Sequence, residues 1–152
     1  MSLFHHPNPI VIALIVSVAL LDTGVPAPHT PQPGSDERKA ICDAVREKVL
    51  AQASRKLPQP IVFKIDFLRV DEGYAWFEGT PRLKDGSYVP DGFLADIDYI
   101  MIVHKTNNAW KVKFDFSRGD VPSDSEAAQL RVQLANVPAS IIPDSWRRIL
   151  KR

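Results

Sequence analysis

IVFKIDFLRVDEGYAWFEGTPRL, residues 61–83, decides the fold. Apolar side chains fall on Ile61, Phe63, Ile65 and Phe67, and the phase then switches to Leu68 and Val70. A period of two is that of a strand with one buried face, and a switch of phase by one residue is what a β-bulge produces. Asp71-Glu72-Gly73 supplies a turn whose Gly takes the left-handed conformation, so the segment reads as a hairpin. The returning strand is expected from Tyr74 to Thr80, closed by Pro81. A loop of two residues places Trp76 opposite Arg69, and a loop of three places it opposite Leu68. Both registers are open at this point. The first sets Trp76 and Arg69 on an outer face as a contact patch, and the second buries the indole.

Upstream of the hairpin, DERKAICDAVREKVLAQASRKL carries apolar residues at 41, 42, 45, 49 and 50, one stripe at helical period. Ser35 precedes Asp36 and Glu37, a capping hydroxyl followed by acids beside the positive end of the helix dipole. Downstream, RLKDGSYVPDGF (82–93) reads as a surface loop. LADIDYIMIVHK and AWKVKFDF then flank Thr106-Asn107-Asn108. A type I′ turn at Asn107-Asn108 pairs Val103 with Val112, Met101 with Phe114 and Tyr99 with Phe116, one continuous apolar face. The opposite face, carrying His104 with Lys111 and Ile102 with Lys113, is expected to be half wet. Ser123-Asp-Ser-Glu126 has capping-box spacing before AAQLRVQLANV, and Pro143 opens a last short helix.

A helix, four strands and further helix make an α+β fold: an antiparallel sheet of about four strands packed on an N-terminal helix, with C-terminal helices. Helices on one face, as in a cystatin-like or NTF2-like arrangement, satisfy this order. LRVDEGYAWFEGTP followed by the later AWKVKFDF resembles a group of small exported bacterial proteins without assigned activity. In that group a helix precedes a strand ending Leu-Arg-Val, an aromatic-Ala-aromatic return strand and a Trp-x-Val strand. The resemblance spans roughly residues 36–121 and implies fold and export alone.

The chain has 152 residues, 19 Lys plus Arg against 18 Asp plus Glu, and a net charge of +1, which argues against a nucleic-acid binder driven by phosphate neutralisation. Residues 1–27 hold an uncharged run from Ile10 to Leu21, apolar except for Ser17, too short for a membrane span and the right length for a secretory leader, although no Lys or Arg precedes it. Export to the periplasm or beyond is therefore expected, with membrane contact only through an uncleaved leader. The Pro-rich stretch 28–34 is expected to be a poorly ordered tether, and 35–152 a single domain. One cysteine, Cys42, excludes an intramolecular disulfide and a multi-Cys zinc site.

Catalytic chemistry has few carriers. His104 is the one histidine in the expected domain, so a Ser-His-Asp or Cys-His site has to use it. Asp96 and Asp98 share one side of a strand, where Asp115 joins them in the expected register, a set able to bind a hard cation or act as an acid/base pair. Lys111 and Lys113 on that face offer ordinary charge pairing instead. No Gly-rich loop has phosphate-cradle spacing, and no cofactor or metal is expected. Trp146 with Arg147, Arg148, Lys151 and Arg152 either docks its helix on the core or offers a basic surface to lipid, wall polymer or an acidic partner.

The expected function is an exported, non-enzymatic protein that binds another macromolecule of the envelope, with Arg69, Trp76, Asp96, Asp98, His104 and Trp146 as candidate contact residues. The alternatives are a small-molecule pocket or weak enzyme in the hollow of a curved sheet, and a structural envelope component.

Overall fold

The computed structural model describes residues 26–151. Most of the expected leader therefore lies outside the described residues. In chain order the elements are α1 (Asp36–Ala51), β1 (Ile61–Asp71), β2 (Tyr74–Leu83), β3 (Tyr99–Thr106), β4 (Ala109–Asp115), α2 (Asp124–Gln133), a 3-10 turn at Ala139–Ile141 and α3 (Asp144–Ile149). The strands form one antiparallel meander in the order β1-β2-β3-β4, so the fold is α+β. No helix among the described residues is long and apolar enough to cross a membrane.

Local chemistry sets the ends of the helices and the two tight hairpins. Ser35 caps α1 by accepting from the Arg38 N–H, and Ser123 with Glu126 forms a complete capping box at α2. Glu72 and Gly73 both have positive φ (47° and 76°), as do Asn107 and Asn108 (51° and 60°), which is the geometry of two-residue type I′ turns. The loop at Glu72-Gly73 pairs Asp71 with Tyr74 and hence Arg69 with Trp76.

Alternation along the strands divides the interior into two layers. Ala75, Phe77, Tyr99, Met101 and Val103 pack with Ile41, Val45 and Val49 of α1. On the opposite face Trp76, Ile100, Ile102 and Phe116 pack with Leu130, Leu134, Ile141, Ile142, Trp146 and Leu150. The C-terminal helices thus cover the face expected to be half wet, and the sheet is sandwiched rather than covered on one side. Ile102, expected to pair with Lys113, is fully buried. The reason is distant in the chain, because α2 and α3 bring an apolar stripe to a strand face that looks mixed in its own sequence.

Two bulges correct the expected registers. In β1 the shift lies between Ile65 and Phe67, so Asp66 is the extra residue and Phe67 already belongs to the C-terminal face. In β3–β4 the pairing is as expected from Thr106–Ala109 to Val103–Val112. It then shifts, so that Ile102 faces Phe114 and Met101 faces Asp115. β2 also runs through Pro81 to Leu83. β3 pairs with β2 only as far as Gly79, and a proline missing its N–H is tolerated where one side of the strand lacks a neighbour.

The expected tether is part of the domain from His29 onward. His29 and Val70 exchange backbone hydrogen bonds of 2.9 and 2.8 Å at the outer edge of β1, and Pro31 is buried. His29 Nε2 meets Glu37 Oε2 at 2.7 Å, and Arg38 Nη1 donates to the Pro31 carbonyl at 3.0 Å. Proline-rich backbone is extended, and an unpaired strand edge accepts an extended segment directly.

Candidate functional site

The structure separates the residues singled out in the sequence. Trp76 lies opposite Arg69 and is nonetheless fully buried, because α3 stands over it. Its ring centroid is 5.5 Å from that of Trp146 and 6.2 Å from that of Phe116, and its Nε1–H donates to Glu78 Oε1 at 2.8 Å. Trp146 is buried as well. Neither indole offers a contact surface, which corrects both expectations, and Arg69 remains exposed beside them. Burial pushes the Glu78 carboxyl above its ordinary value, against the lowering effect of hydrogen bonds from Trp76 and Trp146.

The acidic set does not assemble. The bulge at Lys113 pairs Asp115 with Met101 on the α1 face, where Gln52 Nε2 donates to its Oδ2 at 2.7 Å and the Ser117 N–H donates to its Oδ1 at 3.0 Å. Asp98 exchanges backbone hydrogen bonds with Arg118, and its charge reaches Glu78 of the other layer. Asp96 is exposed in the loop before β3. Among the described residues no three His, Cys, Asp or Glu side chains converge as a metal site needs. Asp98 precedes the first residue of β3 and His104 stands near its end, about 20 Å apart at strand rise, so they do not line one pocket. Cys42 sits half-buried on α1 against the core, and burial pushes its thiol up.

What the fold does bring together lies on the β3–β4 hairpin. His104 pairs with Tyr74 of β2, and their rings stack at a centroid distance of 4.1 Å. Lys113, thrown out by the bulge, donates from Nζ to Tyr74 Oη at 3.1 Å and stands 5.0 Å from the Tyr74 ring centroid. Lys111, exposed, pairs with His104 across the strands and shares its face. Partial burial and the neighbouring Lys113 hold the His104 imidazole below its ordinary value, both acting against the charged form. No carboxylate among the described residues forms an ion pair with Lys111 or Lys113.

On the opposite face of the same hairpin, Trp110 and Val112, with Lys111 at the strand edge between them, form one wall of a groove of about 350 Å³. The other wall is a stripe of α1, Ala44, Glu47, Lys48 and Ala51, which are successive positions on one side of a helix. Between the two faces runs the outer edge of β4, which pairs with no further strand among the described residues. The result is a rigid strand edge with an apolar groove on one flank and a cationic, aromatic strip on the other.

Of this surface, His104 was legible in sequence as a polar strand-end residue. Tyr74 and Lys113 were not legible as its neighbours. Their meeting depends on the β2–β3 register, set across a long loop, and on a bulge with no local signature. The spacing of Ala44 and Ala51 was the available signal for the groove, one helical face lined by small residues. A scan against protein-family models finds no match, and searches of curated proteins and of solved structures find no significant match.

Proposed function

We propose that this chain is an exported, non-enzymatic binding protein, periplasmic or secreted, that holds another macromolecule of the cell envelope through its β3–β4 hairpin. The observation that carries the reading is the strip Tyr74, His104, Lys111 and Lys113, where two cations that form no ion pair among the described residues border a stacked ring pair at the junction of β2 with the β3–β4 hairpin, which is fixed by both layers of the core. A tyrosine held on a rigid element at low entropic cost is a usual anchor of protein recognition, and lysines bordering it steer and select an acidic partner. The leader-like run Ile10–Leu21 supports export.

The test is capture from envelope extract by the full chain and by the Lys111→Glu/Lys113→Glu variant. One stoichiometric partner held by the wild type and released by the folded variant is the expected result. Equal retention by both proteins removes the hairpin from the reading. For export, N-terminal sequencing of the protein recovered from cell fractions should find the leader gone, and an intact Met1 in the cytoplasmic fraction would reject it.

A further inference from the structure

We infer that the open edge of β4 takes an extended segment of a partner protein as a fifth strand, and that this segment alternates apolar with acidic residues. The inference rests on the binding reading above and deepens it.

Three features of the edge lead there. The two outer strands of the sheet are treated differently: β1 is closed at Val70 by the chain's own His29, whereas the outer side of β4 is left unpaired among the described residues. In an antiparallel hairpin the pair closing a two-residue turn is hydrogen-bonded and the next is not. With Thr106–Ala109 as the closing pair, the N–H and C=O groups of Trp110 and Val112 point outward. These are the groups that a partner strand takes up in β-augmentation.

Side-chain direction then specifies the sequence of the guest. Residues opposite Trp110 and Val112 point into the groove beside α1, whose wall at Ala44 and Ala51 is apolar. Residues opposite Lys111 point to the other face, toward Lys111 and Lys113. Alternate positions therefore meet the groove, apolar at Ala44, Ala51, Trp110 and Val112, and the face of Lys111 and Lys113, with Lys48 and Lys111 on the groove rim and Glu47 the one acid there. The bulge at Lys113 limits regular pairing to Ala109–Val112, so the guest strand is short.

Charge also decides against a second copy of this chain. Edge-to-edge pairing of two β4 strands sets Lys111 and Lys113 of one copy beside those of the other, and like charges facing across strands are destabilising. Lysines on an edge are a common guard against self-association, and the same lysines admit an acidic guest.

The experiment measures binding of a fluorescently labelled, blocked peptide of about eight residues alternating Val and Glu to the full chain. Controls are a scrambled peptide of identical composition, a Val/Lys alternation, and the Val/Glu peptide N-methylated on the amides that face β4. Saturable binding of the Val/Glu alternation is expected, weakened about tenfold or more by Lys111→Glu/Lys113→Glu and abolished by N-methylation. Ala51→Trp, an exposed position on the groove wall, should also abolish it. Circular dichroism establishes that each variant is folded. No binding, equal binding of the scrambled or N-methylated peptide, or undiminished binding by the charge-reversed variant overturns the proposal. Preferential binding to phosphatidylglycerol vesicles instead of the peptide overturns it as well. If the peptide fails while charge reversal still releases an envelope partner, the strand mode alone is lost. If charge reversal has no effect on capture either, the binding reading falls with it.

Discussion

Replacing Trp76 by Ala should destabilise the protein severely, by an amount that follows from where the side chain sits. A fully buried Trp removes up to about 250 Å² from water, roughly 6 kcal/mol at about 25 cal/mol per Å². A compact unfolded chain and the retained Cβ bring this down, to about 4 kcal/mol, within the range of about 3–5 kcal/mol seen for large aromatic-to-Ala changes. Against a total stability on the order of 5–15 kcal/mol, the variant is at best marginally folded, with its melting temperature lowered by roughly 12–20 °C. Trp76→Phe keeps most of the apolar bulk but removes the indole N–H that Glu78 accepts, which should cost about 1–2 kcal/mol. Arg69→Ala, across the strand pair but exposed, should change stability by less than about 0.5 kcal/mol. Urea denaturation followed by far-UV circular dichroism measures all three. The reasoning fails if Trp76→Ala lies within about 1 kcal/mol of the wild type, because α3 would then not be covering the sheet as described.

Other outcomes follow from single contacts. A Cβ at Gly79 comes within 2.8 Å of the Lys64 carbonyl oxygen and 3.0 Å of Phe77 Cζ, so Gly79→Ala should cost about 1–3 kcal/mol in the same urea assay, and a neutral result would contradict the close approach of β1 to β2 there. His29 and His104 should titrate on opposite sides of the ordinary histidine value in a proton NMR titration, His29 raised by the Glu37 carboxylate and His104 lowered by burial and Lys113. Glu37→Gln should return His29 toward that value, and coincident curves in the wild type would argue against the docked N-terminal segment. Since folding raises the His29 pKa, its contribution to stability is complete below the unfolded value and is lost as pH rises through the folded one. Glu126 behaves in the opposite sense: Ser123 and Arg118 hold its carboxyl at about 2, so the α2 cap contributes above the unfolded value near 4.5 and weakens as pH falls toward 2. Glu126→Gln should remove most of that acid sensitivity in hydrogen exchange at the first turn of α2, and an unchanged profile would exclude the cap as its source.

Much of the fold was legible because its determinants are local. Both turns, both helix caps and the helical stripe of α1 depend on residues within a few positions of one another, and all are found where expected except Leu50, which the stripe included and which is exposed. The bulge in β1 announced itself as a change of phase and was misplaced by one residue, because Phe67 is apolar on either reading. The bulge in β4 leaves no phase signal, since Trp110, Val112, Phe114 and Phe116 alternate smoothly across it, and this error moved Asp115 to the wrong face. Burial of Trp76 was illegible for a different reason. The hairpin sequence leaves it opposite either Arg69 or Leu68, the fold sets it opposite Arg69, and its cover arrives with Trp146, far along the chain. The candidate site was the least readable part, since the stack of Tyr74 on His104 depends on contacts between strands separated by a long loop.

The cover of the C-terminal face also gives the chain a temporal order. A chain that emerges N-terminus first, from a ribosome or on the far side of a membrane, delivers all four strands before α2 and α3, and neighbouring strands joined as a meander can pair where it emerges. Until the last segment follows, Trp76, Ile100, Ile102 and Phe116 form a bare apolar wall. A premature stop or a protease cut between β4 and α2 would therefore leave a protein with a paired sheet and a sticky back, a substrate for chaperones and proteases.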